Sequence, residues 1–324
     1  MMYSYYKYRC RTCNKSLNQY ERRAKYGVGL CAYVAYLLME MKISQGKACE
    51  HLREVFSIHV SGRGLNRIKA GVAEQSKFTY ERLLEKIATG KLVHADETKV
   101  TVAGESRYVW VFTNLEEVAF VYGGSREAGT AQEVLRGFEG VLVTDFYAGY
   151  DSITCTQQRC LIHLLRDINE DLLKNPFNKE VKQLAHGFAS LLQRIVETVD
   201  RFGLKAYHLR KHRKDVDVFY DLLLKQNWHS DVVIGYRERF QKNRDRLFTF
   251  LEYDGVPWNN NNAELAIKAF VRLRNIIGGN STSKGMKEYL VLLSICETCK
   301  YKGVSFLGFL RSGEVDIDAF AARS

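Results

Sequence analysis

Leu92-Val-His-Ala-Asp-Glu-Thr98 marks the point where the hydrophobic period of this 324-residue chain changes from helical to strand-like. Tyr108–Phe112 and Val118–Tyr122 read as the next two strands, the first pair being joined through Gly104. Ala128–Phe138 reads as a helix, and Val141-Leu-Val-Thr144 as a fourth strand ending at Asp145. Gln158–Leu161 fits a fifth. Strands, a helix and then a strand predict an α/β fold with a mixed sheet, in which Asp96 and Asp145 are neighbours at the ends of apolar runs. Carboxylates at strand ends are costly unless positive charge sits between them. A pair of divalent cations meets that cost, and paired cations cut and join phosphodiesters. Glu97 competes with Asp96, but strand alternation turns it to the opposite face.

Outward from this core the pattern is helical on both sides. Leu30, Val34, Leu37 and Leu38 recur at helical spacing. Ser44 is placed to cap a helix through Ala48, Leu52 and Val55, and Ser61 to cap a second containing Leu65 and Ile68. A helix pair whose second member carries Arg63, Asn66, Arg67 and Lys69 has the layout of a helix-turn-helix over residues 26–90. Arg and Asn there suit base edges and Lys suits phosphates. Residues 163–256 read as a helical insertion, with one apolar stripe from Val181 to Val199 stopped by Gly203 and two charged helices after it. Glu264 then opens an amphipathic helix in Asn259-Asn-Asn-Asn-Ala-Glu-Leu265, the asparagine run serving as its cap.

Charge is unevenly spread. The net charge is +11, yet residues 1–90 alone hold 16 Lys and Arg against 7 Glu and no Asp. Residues 91–160 are acidic, with 10 carboxylates against 6 basic groups. A basic front end beside an acidic middle fits a DNA-gripping module joined to a metal-binding one. The apolar stretch Cys31–Met39 is too short to span a bilayer, and no signal peptide pattern precedes it. The cysteine pattern is not that of a secreted scaffold, so an intracellular, nucleoid-associated protein with reduced thiols is expected.

Cys10-x-x-Cys13, in a basic and aromatic setting over residues 1–25, looks like half of a zinc ribbon. The other half is expected either from distant ligands or from a start lying upstream. Cys296-x-x-Cys299 reads as a buried pair within a helix, and His208-x-x-x-His212 as a charged exposed face rather than a metal site.

The chain resembles the DDE transposases of bacterial and archaeal insertion sequences, most closely the group numbered sixty-six. Three segments carry the likeness. His94-Ala-Asp-Glu-Thr98 looks like the first-Asp segment and Thr144-Asp-Phe-Tyr-Ala-Gly-Tyr150 like the second. Asn260-Asn-Asn-Ala-Glu-Leu-Ala-Ile-Lys268, with Arg272-Leu-Arg-Asn275 and Ser283-Lys-Gly285, looks like the third-acid helix and its basic extension.

The resemblance implies an RNase H-like catalytic domain, split into residues 91–162 and 257–310 around the insertion, with a tail over 311–324. It implies a two-metal-ion polynucleotidyl transferase using Mg²⁺ or Mn²⁺. Asp96 would bridge the ions, and Asp145 and Glu264 would each complete one shell. DNA, as terminal inverted repeats and target, is the implied partner, held by a homodimer or larger assembly. Lys268, Arg272, Arg274 and Lys284 suit phosphates near the metals, although the family pattern usually has Arg at Lys268. Arg159-Cys-Leu-Ile-His-Leu-Leu-Arg166 resembles a Cys-x-x-His element of several transposase groups. Cys160 and His163 there read either as metal ligands, with Cys155, or as a packed pair, and Arg166 as a DNA contact. The rival expectations are a nuclease of the same type that cuts without joining, and an inactive DNA-binding remnant.

Overall fold

A computed structural model describes residues 8–9, 12, 16–17, 26–279 and 281–323. Cys10 and Cys13 lie outside the described residues. Near them, β1 (Tyr8–Arg9) and β2 (Ser16–Leu17) pair antiparallel.

Four helices follow: α1 (Val28–Met39), α2 (Gln45–Phe56), α3 (Gly62–Gln75) and α4 (Lys77–Ala88). Both serine caps form. Lys47 N donates to Ser44 Oγ at 3.3 Å and Gly64 N to Ser61 Oγ at 3.2 Å. Leu52, Leu65, Ile68 and Val72 are buried in a core that also holds Val100, Val111 and Phe120 of the sheet. The front helices are therefore packed into the body of the protein.

The sheet comprises β3 (Leu92–Val102), β4 (Glu105–Thr113), β5 (Val118–Gly123), β6 (Val141–Thr144) and β7 (Thr156–Arg159) in the order β5-β4-β3-β6-β7. β3 is antiparallel to β4 and parallel to β6, and β7 is parallel to β6. Val102 pairs with Glu105, so Ala103 and Gly104 form a two-residue turn, both at positive φ (50° and 82°), as the twist of a tight hairpin requires.

Three expectations shift. β3 does not end near Asp96 but runs six residues beyond it to Val102, because β4 keeps pairing along it. The apolar run stops early only because this half of the strand extends past β6, where polar side chains are tolerated. The helix between β5 and β6, α5, covers only Gly129–Val134, although Leu135 and Phe138 remain buried; Gly137 at φ 76° turns the chain away. The fifth strand lies two residues earlier than expected, leaving Cys160 as the N-cap of a helix.

That helix, α6 (Leu161–Lys174), begins the insertion, which continues with α7 (Lys179–Phe202), α8 (Ala206–Leu209), α9 (Arg213–Lys225), α10 (Asp231–Lys242) and α11 (Arg244–Leu247). The α7 stripe is buried, and Gly203 at φ 70° caps it. The insertion has its own core, which reaches the sheet through Val141 and Val143. It closes on edge strand β7, where Thr249 Oγ1 donates to Gln157 O at 2.7 Å and Gln158 Oε1 accepts from Phe250 N at 2.9 Å. His212 is not on an exposed face: it is buried, bonded to Thr198 and Asp215, while His208 stacks on Phe202.

The chain ends with α12 (Asn261–Ile277), α13 (Ser283–Tyr301), α14 (Phe306–Ser312) and α15 (Ile317–Ala321). α13 covers the other sheet edge. Ser294 Oγ accepts from Phe120 N at 2.9 Å and Thr298 Oγ1 from Val118 N at 3.0 Å, satisfying N–H groups that an edge strand otherwise leaves bare. Cys296 and Cys299 are buried in this helix, and burial pushes both thiols up to about 12. Among the described residues no helix is long and apolar enough to cross a membrane.

Thr298→Val keeps the side-chain shape but orphans the buried Val118 N–H. It should lower the unfolding free energy by about 1–3 kcal/mol, read as a lower urea midpoint at unchanged slope.

Candidate active site

Side-chain parity and strand register bring the two aspartates together. On β3, Val93 and Ala95 point into the core with Trp110 and Phe112, whereas Val100 and Val102 point to the opposite face, with α12. Asp96 shares the parity of Val100, so it faces α12. On β6, Val141 and Val143 face the insertion, and Asp145 continues their parity one residue past the strand end. The parallel register pairs His94 with Val143. Continued two residues, it sets Asp96 beside Asp145.

Asp145 occupies a braced turn. Tyr147 N donates to its Oδ1 at 2.9 Å, and the buried Arg159 donates to Thr144 Oγ1 at 2.6 Å and to Asp145 O at 2.8 Å. Arg159 also pairs with Asp151, which Arg246 of α11 joins.

Asn260 brings the third acid in. Its Nδ2 donates to Ala95 O at 2.9 Å, its Oδ1 meets His94 Nδ1 at 3.1 Å, and its backbone N donates to Cys160 Sγ at 3.2 Å. With Nδ2 committed to Ala95, Oδ1 is the acceptor and His94 carries its proton on Nδ1. Burial pushes the His94 imidazole down to about 4, so it is neutral. The asparagine run is thus not simply a helix cap. Asn260 ties α12 to β3, Asn259 Oδ1 accepts from Asn261 N at 3.1 Å, and Asn262 bridges Thr113 and Tyr301. Glu264 follows in the first turn of α12.

The acids feel one another. Asp96 is pushed up to about 7, first by burial and then by the charges of Asp145, Glu97 and Glu264, against the opposing hydrogen bond from Glu97 N at 2.8 Å. Glu97 lies on the other face, where Arg126 pairs with it at 2.8 Å and Tyr150 Oη donates to it at 2.9 Å.

Beside Glu264 lie residues whose role the sequence left open. His163 Nδ1 is 3.9 Å from Glu264 Oε1, and ligand atoms of Cys160, His163 and Glu264 lie within 4.8 Å of one another. Cys155 does not join them; it packs against the core on the opposite face of the sheet.

The candidate DNA contacts divide. Arg63, Asn66 and Arg67 of α3, Arg166 of α6, Lys268 and Arg272 of α12, and Lys284 and Lys287 of α13 are exposed. Lys69 is not available to a phosphate: it is 2% exposed, paired with Glu288 at 3.2 Å and seated over the Tyr289 ring. It lies on the face of α3 that packs against α13, a contact invisible in helix-turn-helix spacing. Arg274 is also turned inward, donating to Lys99 O at 2.5 Å. A cleft of about 550 Å³ lies between α3 and the start of α13, lined by Arg63, Asn66, Arg67 and Lys284.

Residues 23–288 match the family model described as Transposase IS66 family. The chain belongs to that family. A stretch of this transposase-family chain is also similar to "Uncharacterized protein y4jO" of Sinorhizobium fredii (strain NBRC 101917 / NGR234), 32% identical over 72 residues. That stretch is 22% of this chain and 22% of the relative, so the match spans about a fifth of either length.

Asp96 supplies a direct test of the site's electrostatics. Its folded value lies near 7 against an ordinary 3.8, so its contribution to stability is present below about pH 4 and is lost as pH rises through about 7. In EDTA, Asp96→Asn should therefore be more stable than the unaltered protein at pH 8, by roughly 2–4 kcal/mol. The gain should vanish at pH 4. Thermal melts at the two pH values check this.

Proposed function

We propose that this IS66-family transposase binds the ends of its own element and catalyses metal-dependent cleavage and joining of DNA strands at Asp96, Asp145 and Glu264. The observation that carries the reading is geometric: the β3–β6 register sets Asp96 beside Asp145, and Glu264 stands in the first turn of the helix that Asn260 ties to β3. The sheet order, with β3 antiparallel to β4 and parallel to β6, supports an RNase H-like core interrupted by the insertion.

The residues fit a cation pair. Like charges gathered under burial favour a bound positive charge, and Glu264 Oε1 is a buried oxygen with no hydrogen-bond donor. Asp96, Asp145 and Glu264 would hold the ions between them. Two Mg²⁺ or Mn²⁺ ions held there would supply activation of the attacking oxygen and stabilisation of the leaving oxygen in an in-line displacement. Asp96 gives up its proton before it can hold a cation. Arg159 and Asn260 keep the acids at fixed positions while the ions and DNA arrive. His94, neutral and proton-bearing on Nδ1, adds no charge of its own behind Asp96.

The DNA surface is proposed to run from Arg63, Asn66 and Arg67 through their shared cleft to Lys284, with Lys268 and Arg272 near the acids. Arg166 extends it on the insertion side. Joining two element ends requires at least two protomers on DNA.

With Mg²⁺ or Mn²⁺ and DNA carrying the terminal repeats, Asp96→Ala, Asp145→Ala and Glu264→Ala should each reduce strand cleavage on the order of 10³-fold or more while leaving DNA affinity intact. Full cleavage by any one of them removes that residue from the mechanism. The affinity of the unaltered protein for Mg²⁺, measured by calorimetry, should fall as pH drops below about 7, because Asp96 takes up its proton.

Arg63→Ala and Arg67→Ala should each weaken binding to the terminal repeat by about 1–3 kcal/mol in gel-shift titrations at moderate salt. Lys69→Ala should act instead on stability, since it leaves Glu288 without its ion-pair partner.

A further inference from the structure

Two of the buried polar atoms without a hydrogen-bond partner face each other beside the acid trio: His163 Nδ1 and Glu264 Oε1. Bare buried polar atoms each cost about 1–3 kcal/mol, and an imidazole nitrogen and a carboxylate oxygen, both lone-pair donors to a metal, can share one cation. Cys160 completes the cluster: one ligand atom from each of Cys160, His163 and Glu264 lies within 4.8 Å of the other two. Cys160 caps α6, His163 lies in the first turn of that helix, and Glu264 lies in the first turn of α12. Burial pushes the Cys160 thiol up, and the backbone N–H groups of His163, Asn260 and Ile162 oppose that shift. Such donors steady a thiolate, and metal-bound thiolates characteristically receive them.

We propose that Cys160, His163 and Glu264 form a site for a thiolate-preferring divalent ion such as Zn²⁺, and that filling it withdraws Glu264 from the magnesium pair and silences strand cleavage. The silencing rests on the reading of Glu264 as the third catalytic acid; the site itself does not. A sulfur, a nitrogen and one carboxylate oxygen suit Zn²⁺ far better than Mg²⁺, which takes oxygen ligands and water. Three ligands leave a fourth position for water. Tetrahedral zinc sets such ligand atoms roughly 3.3–3.7 Å apart, so side-chain movements of about 1 Å close the site. The Cys160 thiol releases its proton to solvent as the ion binds. Cys160 is buried, whereas His163 and Glu264 are only partly so, which gives the ion an approach from their side.

The test uses the full chain carrying Cys10→Ser and Cys13→Ser, which removes the amino-terminal cysteine pair, washed with EDTA and titrated with Co²⁺. One equivalent should bind with a near-ultraviolet sulfur-to-cobalt band and the visible bands of a four-coordinate ion, any cobalt held by the acids alone giving no sulfur band. Cys160→Ser should abolish the near-ultraviolet band, and His163→Gln, at a partly exposed position, should weaken binding by at least about tenfold. A spectrum and affinity unchanged in both variants, or no cobalt uptake at micromolar concentrations, overturns the site. In Mg²⁺-supported cleavage, added Zn²⁺ should reduce the rate of the Cys10→Ser/Cys13→Ser protein by a larger factor than that of the same protein carrying Cys160→Ser. Equal factors overturn the silencing. Cobalt uptake through Cys160 by a protein that never cuts DNA upholds the site and removes the catalytic reading instead.

Discussion

The buried side chain of Asn260 is the contact on which the site depends. It is fully enclosed and spends both ends of its amide on β3, at His94 and at Ala95 O, while its backbone N–H reaches Cys160 at the start of α6. Three segments, at residues 94–95, 160 and 260, are thereby locked within one hydrogen-bonded knot. Glu264 is presented to Asp96 only because α12 leaves that knot in one direction. Remove the amide and the helix loses its anchor two residues before Asp96 on the strand.

Around this knot the protein accepts an electrostatic cost. Asp96 lies in a chain of net charge +11, yet its surroundings are burial and other carboxylates, and its proton is retained to about pH 7. No cationic side chain is hydrogen-bonded to it among the described residues; Arg126 is taken by Glu97 on the other face, and Arg159 by Asp151 and the Asp145 backbone. The basic groups are used to hold the frame, and the acids are left uncompensated. Acids left uncompensated on the sheet are what the proposed cation-binding reading calls for.

The front helices share in this rigidity. They contribute to the same core as the sheet and α13, and Lys69 of α3 is sealed against Glu288 and Tyr289. The exposed Arg63 and Arg67 are consequently held in fixed relation to Lys284 across one cleft. The same cleft is lined by Leu273, Ile276 and Ile277 at the C-terminal end of α12.

Local pattern was enough for much of this. The serine caps of α2 and α3, the apolar stripe of α7 with its glycine stop, the strands β4 to β6 and the buried cysteines of α13 follow from periodicity and capping, which act over a few residues and are written directly in the chain. The family motifs named the three acids. Local pattern failed where distant segments set the outcome: β3 runs on because β4 pairs with it, Lys69 is buried because α13 covers that face of α3, and Asn260 bonds to a strand 165 residues away instead of capping its own helix. The grouping of Cys160 and His163 with Glu264 belongs to the same class. Spacing within a segment determines which way a side chain points; what it meets there is decided only by tertiary packing, because burial and hydrogen-bond satisfaction are properties of the whole fold.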